Sequence, residues 1–271
     1  MTRLSIETSF AWAQRFVARE WGLLLPIALA FIGFPPLVLG LLVPGDLLQA
    51  MMIVPIKDVA RVQAALVWLV PSMLAILAVG GVGGLAITAL ALTPRMSVGE
   101  AIGHALRRLP VLAASTALLF VGLLFFAVVV LTLLFLTGLD PVRTQAIAIS
   151  LLLVAALAMG VRMSPLPAVI AQRRIGPIDA IGEAWKLGRG AGWKMFLALL
   201  VYYVGVIVVI VALGSAIGAC VLAAARLGGW PAIAPPLLAV VDRALGGVGG
   251  AGAYVVAASF YRQLSGANKG I

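Results

Sequence analysis

The residues that could carry chemistry are few, and most of them lie between Arg162 and Lys194. The stretch "GRGAGWK", residues 188–194, has the glycines and the lysine of a phosphate-binding loop. A nucleotide-binding loop of that kind follows a strand and has Ser or Thr after its lysine. Here Met195 follows the lysine, and the pattern before the glycines is helical. We therefore predict that these glycines end a helix and let the chain turn.

The chain has few of the residue types that enzymes and metal sites use. The chain has one histidine, His104, and one cysteine, Cys220, which excludes an intramolecular disulfide and a cysteine metal cluster. His104 lies on the polar face of a predicted helix, where we expect it to contact water. The nine acidic residues form no recognisable acid–base or metal-binding constellation. We expect a protein that is not an enzyme and that carries no metal and no cofactor.

A cluster of basic residues suggests binding rather than catalysis. Anionic lipids attract each Lys or Arg at the membrane surface by about 1 kcal/mol. Such residues serve either as ordinary membrane anchors or as a site for anionic headgroups. A protein partner would also fit, whereas nucleic acid would not, because no basic stretch is interleaved with aromatic residues. The candidate headgroup or polar-contact residues are Arg162, Arg173, Arg174, Lys186, Arg189 and Lys194.

Arg162 differs from the other five because about ten mostly apolar residues separate it from the cytoplasmic end of the fourth predicted span. A charge at that depth costs a few kcal/mol unless it is paired or reaches the headgroups through its long apolar stem. We expect Arg162 to make a polar contact inside the bundle or to hold an anionic headgroup. The alternative is that the Arg162 side chain only extends to the water-exposed headgroup level and holds neither a protein group nor a headgroup.

Membrane-spanning helices must position these residues. Hydrophobic residues make up 63% of the 271-residue chain and charged residues only 10%, too few to cover a soluble domain. None of the apolar runs alternates as the strands of a membrane barrel do. We predict an all-α integral membrane protein, a single domain over residues 1–271, with six spans of about 20 residues each. The charge-free runs are 21–45, 62–94, 109–139, 144–161, 195–225 and 244–261, and the fourth continues beyond Arg162 as a mostly apolar stretch to Ala171.

The basic residues also predict the orientation of the spans. With the N-terminus in the cytoplasm, thirteen Arg and Lys residues fall on the cytoplasmic side. The outer loops then hold only Lys57, Arg61, Arg143 and Arg226. Cytoplasmic loops are enriched in such residues, so both termini are expected inside. The N-terminus lacks the apolar core of a signal peptide. Abundant Ala, Gly, Leu and Arg indicate a GC-rich bacterium, and hence its inner membrane.

The order of residues repeats along the chain. A shift of 79 residues aligns "RMSVGEAIGHALRRLP", residues 95–110, with "RIGPIDAIGEAWKLGRG", residues 174–190. Both stretches have a helix cap, an apolar stripe and a polar face. Ser97 with Glu100 predicts a capping box in the first, and Gly176 followed by Pro177 predicts the helix start in the second. Residues 6–21 form a looser third copy, in which Arg15 and Arg19 are expected to face water. We predict three units, at about 4–94, 95–173 and 174–264. Each would be a short cytoplasmic interfacial helix followed by a helical hairpin. Polar loops are the alternative to the interfacial helices.

Glycines and prolines mark further features of the spans. Residues 231–241 contain three prolines, so we expect an outer or re-entrant segment there, with Asp242 and Arg243 at the outer end of the last span. Glycines four residues apart let helix backbones approach closely. Helix packing is the first interpretation of these pairs, and a substrate path lined by bare backbone is the second. The glycines are Gly80, Gly84, Gly214, Gly218, Gly246 and Gly250.

The region from Arg162 to Leu200 resembles the glycerophosphoryl diester phosphodiesterase membrane-domain family. An arginine in the fourth span, a short Pro-containing stretch, an Ala-rich helix with a Trp and a Gly turn before an aromatic residue carry the resemblance. Here these are Arg162, Pro167, Ala180, Trp185, Gly190, Trp193 and Phe196, and "VVAASFYRQL" resembles the family's last span. The family implies a membrane module; no soluble stretch here could hold its catalytic domain. We expect a non-catalytic module that binds lipid headgroups or a partner. A small transporter or lipid translocator is the alternative.

Overall fold

The computed structural model describes residues 4–42, 59–138 and 140–266. These residues are 90% helical and contain no strand. Arg3, Lys57 and Lys269, which contributed to the predicted charge asymmetry, lie outside the described residues. The helices are α1 (Ile6–Ile27), a π-helical turn (Ala28–Gly33), α2 (Phe34–Leu42), α3 (Val59–Leu92), α4 (Val98–Leu136), α5 (Pro141–Met163), α6 (Leu166–Gln172), α7 (Pro177–Gly188), α8 (Gly192–Leu227), a 3-10 turn (Pro231–Ile233) and α9 (Ala234–Leu264).

Six helical segments among the described residues are long and apolar enough to cross a membrane. The predicted all-α class and the predicted number of six membrane-spanning helices are therefore confirmed. The segments are Ile6–Val38, Val70–Leu92, Val98–Leu136, Val142–Gln172, Gly192–Leu227 and Pro231–Leu264.

Local capping chemistry starts the helices where the sequence predicted. At the start of α4, Ser97 Oγ accepts a hydrogen bond from Glu100 N at 3.3 Å. The Glu100 carboxylate accepts one from Ser97 N at 2.8 Å, which completes the predicted capping box. Gly176 is the N-cap of α7, and Pro177 occupies its first turn, also as predicted.

The predicted short interfacial helices take three different forms. Only the third is a separate helix, the 12-residue α7. The second is wrong as a separate element, because residues 98–109 are the first three turns of the 39-residue α4 and Pro110 continues within that helix. The first joins its span through a kink at Glu20, where φ is −107° and ψ is 17°. The pattern identified polar faces but not where each helix ends.

The packed core lies at one end of the bundle and surrounds the short helix α6. Leu166, Ala168, Val169, Ile170 and Ala171 of this helix are buried, and α6 contacts α3, α4, α7 and α9. Residues 81–90 of α3 and 255–261 of α9 are buried against the same centre. Toward the other end of the bundle the helices expose large apolar side chains, for example Phe125, Phe135 and Leu227.

The predicted outer or re-entrant segment at 231–241 is not a separate segment. After the 3-10 turn Pro231–Ile233, α9 starts at Ala234 and runs without interruption to Leu264. The three prolines of residues 231–241 lie in the 3-10 turn and in the first turn of α9, where a missing backbone N–H breaks no helical hydrogen bond. Asp242 and Arg243 therefore lie in the third turn of α9, within the last candidate span.

Glycines let the helices approach closely, although not always at the expected positions. A Cβ on Gly247 would lie 2.7 Å from Gly33 Cα, so the backbones of α9 and the π-helical turn touch there. A Cβ on Gly84 would overlap the ring of Tyr254, and one on Gly250 would lie 3.0 Å from Ile32 Cγ2. The other predicted packing glycines, Gly80, Gly214, Gly218 and Gly246, have only ordinary contacts or none.

Candidate functional site

One end of the bundle is held together by polar contacts between distant parts of the chain. We call it the terminal end, because the first and last described residues meet there. The Gln263 side chain accepts a hydrogen bond from Ser5 N at 2.9 Å and donates to Ser9 Oγ at 2.9 Å. Lys194 Nζ donates to the Leu4 carbonyl oxygen at 3.3 Å. These bonds join the starts of α1 and α8 to the end of α9.

The two remaining turns of the chain at this end are tied together as well. Gln172 Nε2 donates to Thr93 Oγ1 at 3.3 Å, so the end of α6 meets the end of α3. His104 Nε2 lies 2.9 Å from the carbonyl oxygen of Ala171, and its side chain is half-buried. His104 was expected to contact water, but it bonds to the end of α6, whereas Glu100 and Arg107 on the same polar face of α4 are exposed.

Arg173 joins the end of α6 to α7. Its guanidinium forms an ion pair with Glu183 of α7. The Tyr261 hydroxyl and the Glu183 carboxylate both raise the pKa of Arg173 above its ordinary value, so it keeps its charge. The predicted basic cluster thus divides into two groups. Arg173 and Lys194 bond to protein groups, whereas Arg174, Lys186 and Arg189 are exposed at the ends of α6 and α7.

Arg162 lies at the end of its helix rather than in the middle of the bundle. Its guanidinium carbon lies 4.6 Å from the centre of the Trp185 ring, a cation–π contact that differs from the expected polar contact. Arg143 and Arg162 are nineteen residues apart, which is about 28 Å of helix. That distance is close to the thickness of the hydrocarbon core, so both arginines fit at headgroup level. Arg162 also lies within the candidate span Val142–Gln172, which continues through α6, so the structure is compatible with the predicted depth as well.

A glycine allows α7 to cross the end of α5 beside Arg162. A Cβ on Gly188 would lie 3.1 Å from the Arg162 carbonyl oxygen, so the two backbones are in contact. Gly190, with φ +84°, then turns the chain into α8. The prediction that these glycines end a helix and turn the chain is confirmed.

A cavity of about 450 Å³, which the sequence pattern did not predict, lies at the terminal end, and we call it the arginine cavity. Three arginines from the two ends of the chain line it, together with aromatic and apolar side chains. Arg15 and Arg19 are exposed, as the pattern of α1 predicts, and they also line this cavity. Their spacing of four residues, matched by Trp12 and Phe16, was the available signal for a shared face. The lining residues are Trp12, Arg15, Phe16, Arg19, Leu90, Ala91, Leu92, Pro94, Gln172, Tyr261 and Arg262.

Two apolar grooves flank α8. The first, about 760 Å³, lies between α1, α8 and α9 and includes Leu24, Val206 and Val255. The second, about 740 Å³, lies between α5, α8 and α9 and includes Leu157, Tyr203 and Ala257. Ser164 Oγ, a buried hydroxyl without a hydrogen-bond partner among the described residues, belongs to the second groove. Grooves of this chemistry suit acyl chains or neighbouring helices.

The arginine cavity presents positive charge, and the two grooves beside α8 present apolar surface. In the described ranges no group of three or more His, Cys, Asp or Glu residues is arranged to hold a metal ion. No family model, curated protein or solved structure matches the chain. The structure and the residues themselves therefore carry the functional argument.

Proposed function

We propose that this protein is a non-catalytic integral membrane module that holds anionic lipid headgroups at its terminal end. The observation that carries the proposal is the gathering of cationic side chains where the apolar helical runs begin or end. Arg15 and Arg19 precede the first run, Arg162 follows the fourth, and Arg262 follows the last. Cations at that level attract anionic headgroups, and arginine forks match the geometry of a phosphate.

The proposed location is a bacterial inner membrane with both termini in the cytoplasm. The charge asymmetry of the sequence supports this orientation. The bonds between Ser5 and Gln263 support a common side for the two termini. Reporter fusions after Gly138 and Gly229 should show periplasmic activity, and a fusion after Pro94 cytoplasmic activity. Periplasmic activity after Pro94 would contradict the orientation.

The proposed organisation has three units, each an amphipathic segment followed by a helical hairpin. The matching caps at Ser97 and Gly176 support the correspondence of the second and third units. Packing of α4 against α5 and of α8 against α9 supports the two hairpins. The resemblance to the glycerophosphoryl diester phosphodiesterase membrane-domain family is part of this proposal and rests on the residues named above.

The test of the proposed function is stabilisation of the purified protein by lipid. We expect added phosphatidylglycerol to raise the melting temperature in detergent, and phosphatidylcholine of the same chain length to raise it less. Because headgroup attraction is electrostatic, the difference should shrink as the salt concentration rises. Equal stabilisation by the two lipids at low salt would contradict headgroup binding.

The grooves beside α8 favour a second candidate function, that of a lipid translocator. An acyl chain could follow either groove, whereas the path first considered, along the glycines of α3 and α9, is filled. Tyr254 covers Gly84, and Gly33 lies against Gly247. Reconstituted vesicles with fluorescent phospholipid in one leaflet test this function. Exchange between leaflets no faster than in protein-free vesicles would exclude it.

A further inference from the structure

The arginine cavity lies where three apolar runs of the chain meet the terminal end. The charge-free run of the first span starts at Trp21, just after Arg19 and the kink at Glu20. The run of α3 ends at Pro94, and that of α9 ends at Tyr261. The cavity is lined by residues next to all three limits, so it opens at the level where lipid headgroups lie.

The arginines of α1 are held so that their terminal nitrogens can still donate. Arg15 Nε donates to the Ala11 carbonyl oxygen at 3.1 Å, and Arg19 Nε donates to the Glu20 carboxylate at 2.8 Å. Within the described residues, these bonds use only Nε of each side chain. Each guanidinium has five N–H donors, so both keep the paired terminal groups that bind an oxyanion in a fork.

Packing between the two ends of the chain fixes another part of the cavity lining. Trp12 stacks on Phe16 with ring centres 5.6 Å apart, and the Arg262 guanidinium carbon lies 5.4 Å from the Trp12 centre. The neighbouring residue Gln263 bonds to Ser5 and Ser9, which holds α1 against α9. The cavity therefore exists before any ligand binds, which reduces the ordering that binding would require.

The chemistry of the lining fits a phosphate with an attached apolar portion. Three arginines and no Asp or Glu stand among the described lining residues. Planar guanidinium groups bind phosphate oxygens in pairs, which a lysine cannot do. Leu90, Ala91 and Leu92 supply an apolar side for glycerol or acyl carbons. A volume of about 450 Å³ lies within the range of small-molecule sites.

We propose that the arginine cavity binds the phosphate of an anionic phospholipid headgroup, with Arg15 and Arg19 as its ligands and Arg262 in its wall. This inference rests on the proposed function and names the place where the headgroup is held. It assigns the site to α1 and α9 rather than to Arg174, Lys186 and Arg189 at the ends of α6 and α7.

The test measures phosphatidylglycerol binding to purified protein by native mass spectrometry over a lipid titration. We expect Arg15→Gln with Arg19→Gln to weaken binding about tenfold or more, because each change removes charge-assisted hydrogen bonds. The matched control is Arg107→Gln with Arg108→Gln, the same change of charge in α4, outside the cavity. Its binding should stay within about twofold of the wild type. Equal weakening in the two double variants would overturn the site.

A variant that fills the cavity without changing any charge distinguishes binding in the cavity from general electrostatic attraction. Ala91→Phe keeps all three arginines and places a ring in the cavity, so it should also weaken phosphatidylglycerol binding about tenfold. Size-exclusion profiles and melting curves establish that each variant is folded. If the wild type and both cavity variants retain phosphatidylglycerol equally, the inference fails and the proposed function stands. If the wild type prefers no anionic lipid, the proposed function fails.

Soluble phosphate esters distinguish the source of the phosphate. Glycerol 3-phosphate and inorganic phosphate should displace phosphatidylglycerol only at concentrations far above that of the lipid, because they lack the acyl chains. Displacement by glycerol 3-phosphate at equal concentration, lost in the Arg15→Gln and Arg19→Gln double variant, would overturn the lipid assignment. It would then assign the site to a soluble phosphate ester.

Discussion

Replacing Gly247 with alanine tests a crossing at which the backbones of two helical segments touch. The new Cβ would lie 2.7 Å from Gly33 Cα, 2.8 Å from Gly33 N and 3.0 Å from the Ala28 carbonyl oxygen. All three are backbone atoms, so no flexible side chain can yield, and the helices must separate. Overpacking of this kind lowers the free energy of unfolding by about 1–3 kcal/mol.

The neighbouring glycine provides a matched control. A Cβ on Gly246 would meet no atom within 4 Å, and this residue lies in the same helix. Gly246→Ala should raise the free energy of unfolding by about 0.5–1 kcal/mol, because alanine is the better helix former. The two variants should therefore differ by about 1.5–4 kcal/mol in SDS-titration unfolding of the detergent-solubilised protein. Equal stabilities, or a less stable Gly246→Ala, would refute the crossing.

Further changes address single contacts, each measured by the same unfolding assay. Ser97→Ala should lower the free energy of unfolding by about 1 kcal/mol through loss of the capping box; an unchanged value would contradict the cap. Gln263→Leu should lower it by about 1–3 kcal/mol, because three hydrogen bonds to Ser5 and Ser9 are lost, although Ser9 Oγ keeps its bond to the Ser5 carbonyl oxygen, and should increase proteolysis before α1. Arg162→Leu should lower it by about 0.5–2 kcal/mol and Arg162→Lys by less, since only lysine keeps a charge over Trp185. Greater stability of Arg162→Leu would show that the cation–π contact contributes nothing.

Local features of the sequence were sufficient to predict the helix type and several helix ends. The capping box at Ser97, the Pro177 start of α7 and the turn at Gly190 depend on residues within about four positions of one another. The apolar runs likewise indicated six spans, because the bilayer sets the length of each helix. Such features need no knowledge of which helices are neighbours.

The features that the sequence did not reveal depend on contacts between distant residues. Short helix α6 follows an apolar run without a change of composition, so only its burial among other helices distinguishes it. The contact of Gly33 with Gly247 and the bond of His104 to Ala171 join separate helices. The arginine cavity requires α1 to lie beside the end of α9, and a water-facing pattern on α1 alone cannot show that.

The central claim is that the terminal end holds anionic phospholipid headgroups. Its most direct test is native mass spectrometry of the wild-type protein extracted in mild detergent from its own membrane, with no lipid added. The account predicts retained phosphatidylglycerol or another anionic phospholipid, at a higher ratio to zwitterionic lipid than in the bulk extract. Retained lipid with the bulk ratio, or no retained lipid, would contradict it.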